Sequence, residues 1–209
     1  PNCTFLGIVV CAYIIQQSLD GTCWLKERLI SEKSFRRLIK FIQVLAGIML
    51  VLNLLLTFGS AYQLRIQQHV IEEGHRKQVG LWLREHAISL NETVFLEPLG
   101  YIGYFSQLKM YDFPGLSSPE VVAARRKLGT DDWDQLILEL HPDWVVLRPL
   151  EARRIHKKNQ LLLTQYYSHV KVFNVSEQVQ SYGWVPGYIY LMYDQVFMIF
   201  HRNNNFSEL

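Results

Sequence analysis

One long run without a charged residue, between Lys40 and Arg65, most constrains what this chain can fold into. Within it, residues 41–58 read FIQVLAGIMLVLNLLLTF. A helix rises about 1.5 Å per residue, so about 20 apolar residues cross a hydrocarbon core about 30 Å thick. The alternative is the buried core helix of a soluble protein, but core helices rarely run this long without a charge. The sequence therefore predicts a transmembrane helix over residues 41–60.

A second apolar segment lies at the start of the chain, where no charged residue precedes Asp20. It predicts another transmembrane helix over residues 3–19. A signal peptide is the rival interpretation, but it needs a basic start and a cleavage site, and the basic start is missing here. We expect the chain to be the C-terminal piece of a longer membrane protein.

Residues 20–40, between the two segments, are expected to form a loop or, alternatively, an amphipathic helix at the cytoplasmic surface, and they carry six basic and three acidic side chains. A short basic loop stays on the cytoplasmic side of a membrane. The alternative role for such a loop, nucleic-acid binding, is disfavoured by its place between two spans, and we expect no nucleic-acid partner. Residues 61–209 are then extracytoplasmic and are nearly balanced, with 15 basic and 16 acidic side chains. The sequence thus predicts an integral protein of an inner or plasma membrane, with the bilayer as a partner.

Strands and helices alternate in the exported region. Short apolar runs rich in β-branched and aromatic residues predict strands at 93–97, 109–113, 144–147 and 169–175, and a terminal strand pair at 188–193 and 195–201. Helical patterns lie between most of them, which predicts an α/β domain with a mostly parallel sheet over residues 61–209. All three cysteines lie before residue 40, so the domain has no thiol for catalysis or metal binding.

The carboxyl ends of two predicted strands carry Glu97 and Asp112. Ligands of α/β sheets bind outside these ends, and paired carboxylates act as acid and base or hold sugar hydroxyls. Tyr101 and Tyr104 follow Glu97 and can stack on a sugar ring. These four residues are the candidate substrate-binding set.

A structural role for the same carboxylates is the stronger alternative. Asp112 can cap the turn at Pro114 and Gly115, and Glu97 can pair with an arginine such as Arg125. Gly100 and Gly103 superficially suggest a dinucleotide loop, but the first glycine of the GxGxxG pattern is missing, so tight helix packing is favoured.

Other catalytic and metal patterns are weak. The seven histidines form no HExxH or HxH motif, so no metal or other cofactor is expected in this chain. Five basic residues follow the third strand. They are expected to form a solvent-exposed helix face or, alternatively, to contact lipid phosphates. The five residues are Arg148, Arg153, Arg154, Lys157 and Lys158.

Three segments together carry a family resemblance: PLGYIGYFS at 98–106, DFPGLSSPEV at 112–121 and HPDWVVLRP at 141–149. Placed behind transmembrane helices, they resemble the C-terminal region of bacterial polytopic membrane glycosyltransferases of the glycosyltransferase C superfamily, such as protein mannosyltransferases and lipid A aminoarabinose transferases. The resemblance covers residues 41–202 and is most specific over residues 99–122.

The resemblance implies transfer of a sugar from a polyprenyl-phosphate donor to a glycan, lipid or protein acceptor outside the cytoplasm. It puts the catalytic carboxylate, and any divalent metal, in an early loop that this chain does not contain, so no catalytic residue is assigned here. The exported domain is then expected to bind the acceptor or to stabilise the membrane part. Two rivals remain: a non-enzymatic membrane-anchored binding or assembly domain, and an exported hydrolase that uses Glu97 and Asp112.

Overall fold

The computed structural model describes Gln16 and residues 32–203. Apart from Gln16, the predicted first transmembrane helix at 3–19 lies outside the described residues, as does the predicted loop up to residue 31. The chain divides into two units, Pro1–Gly59 and Ser60–Leu209, and each is described by itself.

The long apolar run lies in helix α1, Glu32–Ile66. Residues 32–40, predicted as loop, are the start of this helix. The continuous helical segment Arg36–His86 is, among the described residues, the one helix long and apolar enough to cross a membrane, judged by length and composition. Its most apolar window has no residue buried, and large side chains such as Phe41, Leu55 and Phe58 are exposed. A core helix of a soluble protein is instead mostly buried.

Two further helical segments follow α1 within the second unit. A π-helix, Gln67–Arg76, is followed by α2, Lys77–His86. The wider turn is visible at the end of the π-helix, where the backbone N–H of Lys77 donates to the carbonyl of Glu72, five residues earlier.

The second unit is built on a five-stranded sheet with the order β2-β1-β3-β5-β4. Strand β1 pairs in parallel with β2 and β3, whereas β5 pairs antiparallel with both β3 and β4. The sheet is therefore mixed, and the prediction of a mostly parallel sheet was wrong. The strands are β1 Thr93–Leu96, β2 Lys109–Asp112, β3 Trp144–Leu147, β4 Tyr167–Asn174 and β5 Val196–Arg202.

The error comes from the end of the chain. The segment Tyr188–Tyr193, predicted as a strand, is a short helix that follows Gly187, whose φ is +81°. Tyr188 and Leu191 pack three residues apart into one apolar cluster, which is helical spacing. Only β5 therefore returns to the sheet, and it inserts between β3 and β4.

Helices cover both faces of the sheet. Strand residues alternate in direction, so Val94 and Leu96 face α2 while Phe95 faces the opposite layer. The remaining helices are α3 Leu99–Ser106, α4 Pro119–Leu128, α5 Trp133–Leu140, α6 Pro149–Lys158, the π-helix Leu162–Tyr166, α7 Ser176–Gln180 and α8 Tyr188–Tyr193. Helices α2 and α3 pack on the first face, and α4, α5 and α6 on the second.

Candidate functional site

A cleft of about 840 Å³ lies at the carboxyl edge of the parallel strands. Glu97 directly follows β1, Phe113 follows β2 and Arg148 follows β3, and all three line the cleft. Because β5 runs antiparallel to β3, the residues just before β5 reach the same edge, and Gln195 joins the lining. This is the edge where α/β sheets bind ligands, and the volume lies within the range of about 300–1,000 Å³ usual for ligand pockets.

The buried guanidinium of Arg148 organises this edge. It donates to Glu97 Oε2 at 2.5 Å, to Glu151 Oε1 at 2.6 Å and to Asp194 Oδ1 at 2.5 Å, and it lies 4.2 Å from the ring centre of Tyr193. Burial disfavours its charge, but the carboxylates of Asp194 and Glu151 outweigh burial and raise the pKa of Arg148. The arginine is therefore a fixed cation with each of its nitrogens engaged by a carboxylate.

Local sequence explains how this arginine is held. Pro149 occupies the first turn of α6, and Arg148 is its N-cap residue. Glu151 accepts a hydrogen bond from the backbone N–H of Arg148 at 2.7 Å, as in a capping box. The same carboxylate thus fixes both the main chain and the side chain of Arg148.

A second arginine extends the network. Arg76 donates to Glu72 at 2.7 Å and also pairs with Asp194. The Nδ1–H of His75 donates to the main-chain carbonyl of Asp194 at 2.8 Å. The π-helical turn brings these two adjacent side chains to the same partner, which agrees with the frequent occurrence of π-helices at functional sites.

We call these six charged residues the Arg148 cluster: Arg148, Arg76, Glu72, Glu97, Glu151 and Asp194. With all of them ionised, four carboxylates face two guanidinium groups, so the cluster carries an excess of negative charge. Burial raises the pKa of Glu151 even though Arg148 opposes this shift. Glu97 is the most accessible carboxylate of the set, with 34% of its side chain exposed. It is the member that can accept a hydrogen bond from a ligand.

The opposite wall of the cleft is the start of α5. Asp131, Asp132 and Asp134 line it together with the indole of Trp133. Asp131 pairs with Arg125 and Asp132 with Lys158, whereas Asp134 forms no ion pair within the described part of the chain. Asp134 is therefore a second carboxylate available to a ligand.

Aromatic rings form the apolar part of the lining. Trp133 packs against Phe113 with ring centres 4.4 Å apart, and Tyr193 lies on the other side beside Arg148. Ring faces carry partial negative charge and accept the C–H groups of a sugar, while carboxylates accept its hydroxyl protons. The arrangement suits a polyhydroxylated ligand.

Of the four residues predicted for substrate binding, Glu97 lines the cleft, and its ion-pair partner is Arg148 instead of Arg125. Tyr101 accepts a hydrogen bond from Gln68 at 2.5 Å, and Tyr104 is exposed beside Phe105. Neither tyrosine belongs to the described residues that line the cleft.

Asp112 is buried in the turn that follows β2. It accepts hydrogen bonds from the backbone N–H of Leu116 at 2.7 Å and of Ser117 at 3.1 Å, and from the hydroxyls of Ser117 and Ser118. Burial opposes its charge, but these hydrogen bonds prevail and lower the pKa of Asp112. The structure places it in the turn-capping arrangement, with its carboxylate oxygens occupied.

Several site residues escaped the sequence patterns. Arg148 was grouped with the basic residues of the α6 surface, but it is buried, whereas Arg153 and Arg154 line the same cleft as exposed side chains. Two features of the sequence could have identified Arg148 as a site residue. It lies directly after a buried strand and before Pro149, and Glu151 occupies the capping-box position. Asp194 and Trp133 carried no signal, because their roles depend on contacts with distant segments.

No group of three or more His, Cys, Asp or Glu side chains in the described residues is arranged to hold a metal ion. Residues 62–193 match the protein family described as "Domain of unknown function (DUF8728)". Neither the curated proteins nor the solved structures contain a match to this chain. The matched range includes both walls of the cleft and ends at Tyr193.

Proposed function

This chain belongs to the DUF8728 family, and we propose that it is the C-terminal part of an integral-membrane glycosyltransferase whose exported domain binds the acceptor. The enzyme transfers a sugar from a polyprenyl-phosphate donor to an extracytoplasmic glycan, lipid or protein. The acceptor lies in the cleft at the carboxyl edge of the sheet. The chemical step belongs to the part of the enzyme upstream of this chain, and any divalent metal acts there.

The cleft is the observation that carries this proposal. It combines two carboxylates available to hydroxyl groups, Glu97 and Asp134, with the ring of Trp133. Arg148 is held on all sides by carboxylates, so it orients Glu97 and does not offer a free cation to a phosphate. The exposed Arg153 and Arg154 also line the cleft, so the lining offers carboxylates to hydroxyl groups and arginines to an anionic group of the acceptor.

The long apolar helix supports the membrane location. A helical surface of exposed Leu, Ile, Val and Phe side chains over residues 41–58 matches a hydrocarbon surrounding. The basic residues before the apolar run, four of which lie at the start of α1, favour a cytoplasmic start. The domain after residue 60 is then extracytoplasmic, on the side where polyprenyl-phosphate sugars are used.

Transfer by the full-length protein is the direct test. The protein, reconstituted in lipid nanodiscs, is incubated with radiolabelled polyprenyl-phosphate sugars and a panel of glycan and lipid acceptors. We expect label in an acceptor, less of it with Asp134→Asn, and an unchanged yield with Glu85→Gln. Glu85 is an exposed carboxylate in α2, outside the cleft lining. Glu85→Gln removes one negative charge, as Asp134→Asn does, but leaves the cleft lining unchanged.

Absence of transfer with every donor, together with no acidic early loop in the parent gene, contradicts the proposal. Binding of an oligosaccharide without any transfer favours the alternative of a non-enzymatic membrane-anchored binding or assembly domain. Both functions use the same cleft, so only the transfer step separates them.

A further inference from the structure

A group of large apolar and aromatic side chains is exposed just before β5. Trp184 is 71% exposed, Ile189 78% and Tyr190 73%, with Met192 and Tyr193 beside them. We call residues 182–193 the aromatic segment. Isolated exposed apolar residues are ordinary, but a contiguous set of this kind marks a surface that is covered by something else.

The inward-facing side chains of the aromatic segment are packed in a buried apolar cluster. Val185 and Leu191 are buried in a cluster with Ile66, Val70 and Ile71 at the start of the exported unit. Gly187, with φ +81°, lies so close to Gln63 that a Cβ added there would be 3.0 Å from its side-chain carbon Cδ. The outward side chains are therefore presented by an ordered backbone and are not a loose loop.

The position of the aromatic segment, close to the residues that follow the apolar run, indicates which surroundings cover its exposed side chains. The ring of Trp184 stacks on that of Tyr62, with centres 5.7 Å apart. Tyr62 follows Phe58, the last residue of the apolar run, by only four positions in the sequence. Tryptophan and tyrosine side chains concentrate at the level where a protein leaves the hydrocarbon and meets the headgroups, because they are apolar with one polar end.

The order of contacts along the entering helix agrees with this position. In chain order, Tyr62 stacks on Trp184, Arg76 forms an ion pair with Asp194, and Trp82 packs edge-on against Trp144, the first residue of β3. The chain therefore reaches the carboxyl edge of the parallel strands before it reaches the amino edge. The aromatic segment and the cleft share this first edge, and both use Met192 and Tyr193.

We infer that the aromatic segment lies in the headgroup region of the bilayer, as a membrane contact in addition to the proposed span. Trp184, Ile189 and Tyr190 insert at the lipid interface, and the cleft opens next to it. This inference rests on the membrane location in the proposed function and not on acceptor binding.

Single-cysteine labelling of the full chain in vesicles tests it. Cys3, Cys11 and Cys23 are the only cysteines and are replaced by serine, and one cysteine is introduced as Trp184→Cys or Ile189→Cys and labelled with an environment-sensitive dye. The vesicles are phosphatidylcholine, with or without lipids that carry a doxyl quencher near the headgroup. We expect the shallow quencher to reduce the emission at both positions.

Two control positions make the result decisive. Ile88→Cys is a matched control, since Ile88 is apolar and 91% exposed but lies just before β1, at the amino edge of the sheet. It is expected to keep its emission. Leu50→Cys lies within the predicted span and is expected to lose emission to a quencher deep in the acyl chains.

If residues 184 and 189 behave like residue 88 while residue 50 is quenched, the interface contact is wrong and the span stands. That outcome favours a protein partner or a second copy on this surface. If residue 50 is also not quenched, the proposed membrane span fails, and this inference fails with it. Trp184→Cys removes the ring that stacks on Tyr62, so Ile189→Cys serves as a second labelling position that leaves this stack in place.

Discussion

At the scale of single residues, Arg148 is the side chain on which the site depends. Glu97, Glu151 and Asp194 converge on its guanidinium group, and two of these carboxylates are themselves buried. A buried ion pair is weak evidence for stability, but the loss of one partner leaves uncompensated charge in a low dielectric. The removal of Arg148 should therefore harm the protein far more than the removal of any surface arginine.

Arg148→Met tests this expectation, because methionine keeps an apolar stem of similar shape. We expect a loss of roughly 3–5 kcal/mol in the free energy of unfolding. Urea unfolding of the protein in detergent, followed by tryptophan fluorescence, measures it. Arg153→Met is the matched control on the exposed face of α6, with an expected change within about 0.5 kcal/mol. Equal losses in the two variants would show that Arg148 is not the centre of a buried cluster.

Asp112 provides a second test with a defined pH dependence. Asp112→Asn replaces a carboxylate that accepts several hydrogen bonds with an amide that also donates, and we expect a loss of about 1–3 kcal/mol near neutral pH. The pKa of Asp112 is lower in the folded protein than in the unfolded chain. The contribution of its charge is therefore complete above the unfolded pKa of about 3.9 and disappears as pH falls through the lower folded value.

The measurement is the thermal midpoint of the wild type and of Asp112→Asn between neutral and acidic pH. The difference between the two midpoints should shrink below the unfolded pKa, whereas Glu85→Gln should track the wild type throughout. A difference that stays constant down to the lowest pH would mean that the capping bonds do not depend on the charge. Full stability together with lost activity would instead favour the exported hydrolase.

At the scale of elements, the close approach of α2 and α3 depends on one glycine. A Cβ added to Gly80 would lie 2.8 Å from the carbonyl oxygen of Ile102 and 3.0 Å from Cβ of Phe105. A Cβ on Gly100 would meet nothing within 4 Å. The tight packing expected from the glycine pair of α3 is thus absent at Gly100 but present at Gly103, where an added Cβ would lie 3.3 Å from Cγ of Met110 in β2. The glycine on which the contact between α2 and α3 depends lies in α2.

This contrast makes a paired prediction. Gly80→Ala should destabilise the protein by about 1–3 kcal/mol, because the backbone of α3 must move away. Gly100→Ala should stabilise it by about 0.5–1 kcal/mol through better helix propensity at an exposed position. Urea unfolding of both variants measures the two changes. A neutral result for Gly80→Ala would contradict the close packing of the two helices.

The same scale shows which elements the sequence could predict. Strands β1 and β3 are continuous apolar runs buried on both faces, and their pattern predicts them directly. The segment at 188–193 is an apolar run too short for its periodicity to separate helix from strand. Its helical form depends on the packing of Leu191 against the entering helix, which is a tertiary contact. The mixed character of the sheet has a separate cause, because β5 inserts antiparallel between β3 and β4.

At the scale of the whole molecule, the candidate site was only partly predictable for a related reason. Glu97 was predictable, because a carboxylate at the end of a strand has a defined place in an α/β sheet. Trp133 comes from a helix start, and Asp194 comes from the far end of the chain. Trp133 lines the cleft, whereas Asp194 acts through its ion pair with Arg148. Their positions at one edge of the sheet are set by the insertion of β5 and by the π-helical entry, neither of which leaves a local pattern.

The central claim is that the cleft of the exported domain binds the acceptor, and steady-state transfer kinetics of the full-length protein test it most directly. Glu97→Gln and Asp134→Asn should each raise KM for the acceptor and leave KM for the polyprenyl-phosphate donor unchanged, while Glu85→Gln changes neither. A higher KM for the donor, or unchanged KM values for both substrates in the two cleft variants, would contradict the claim.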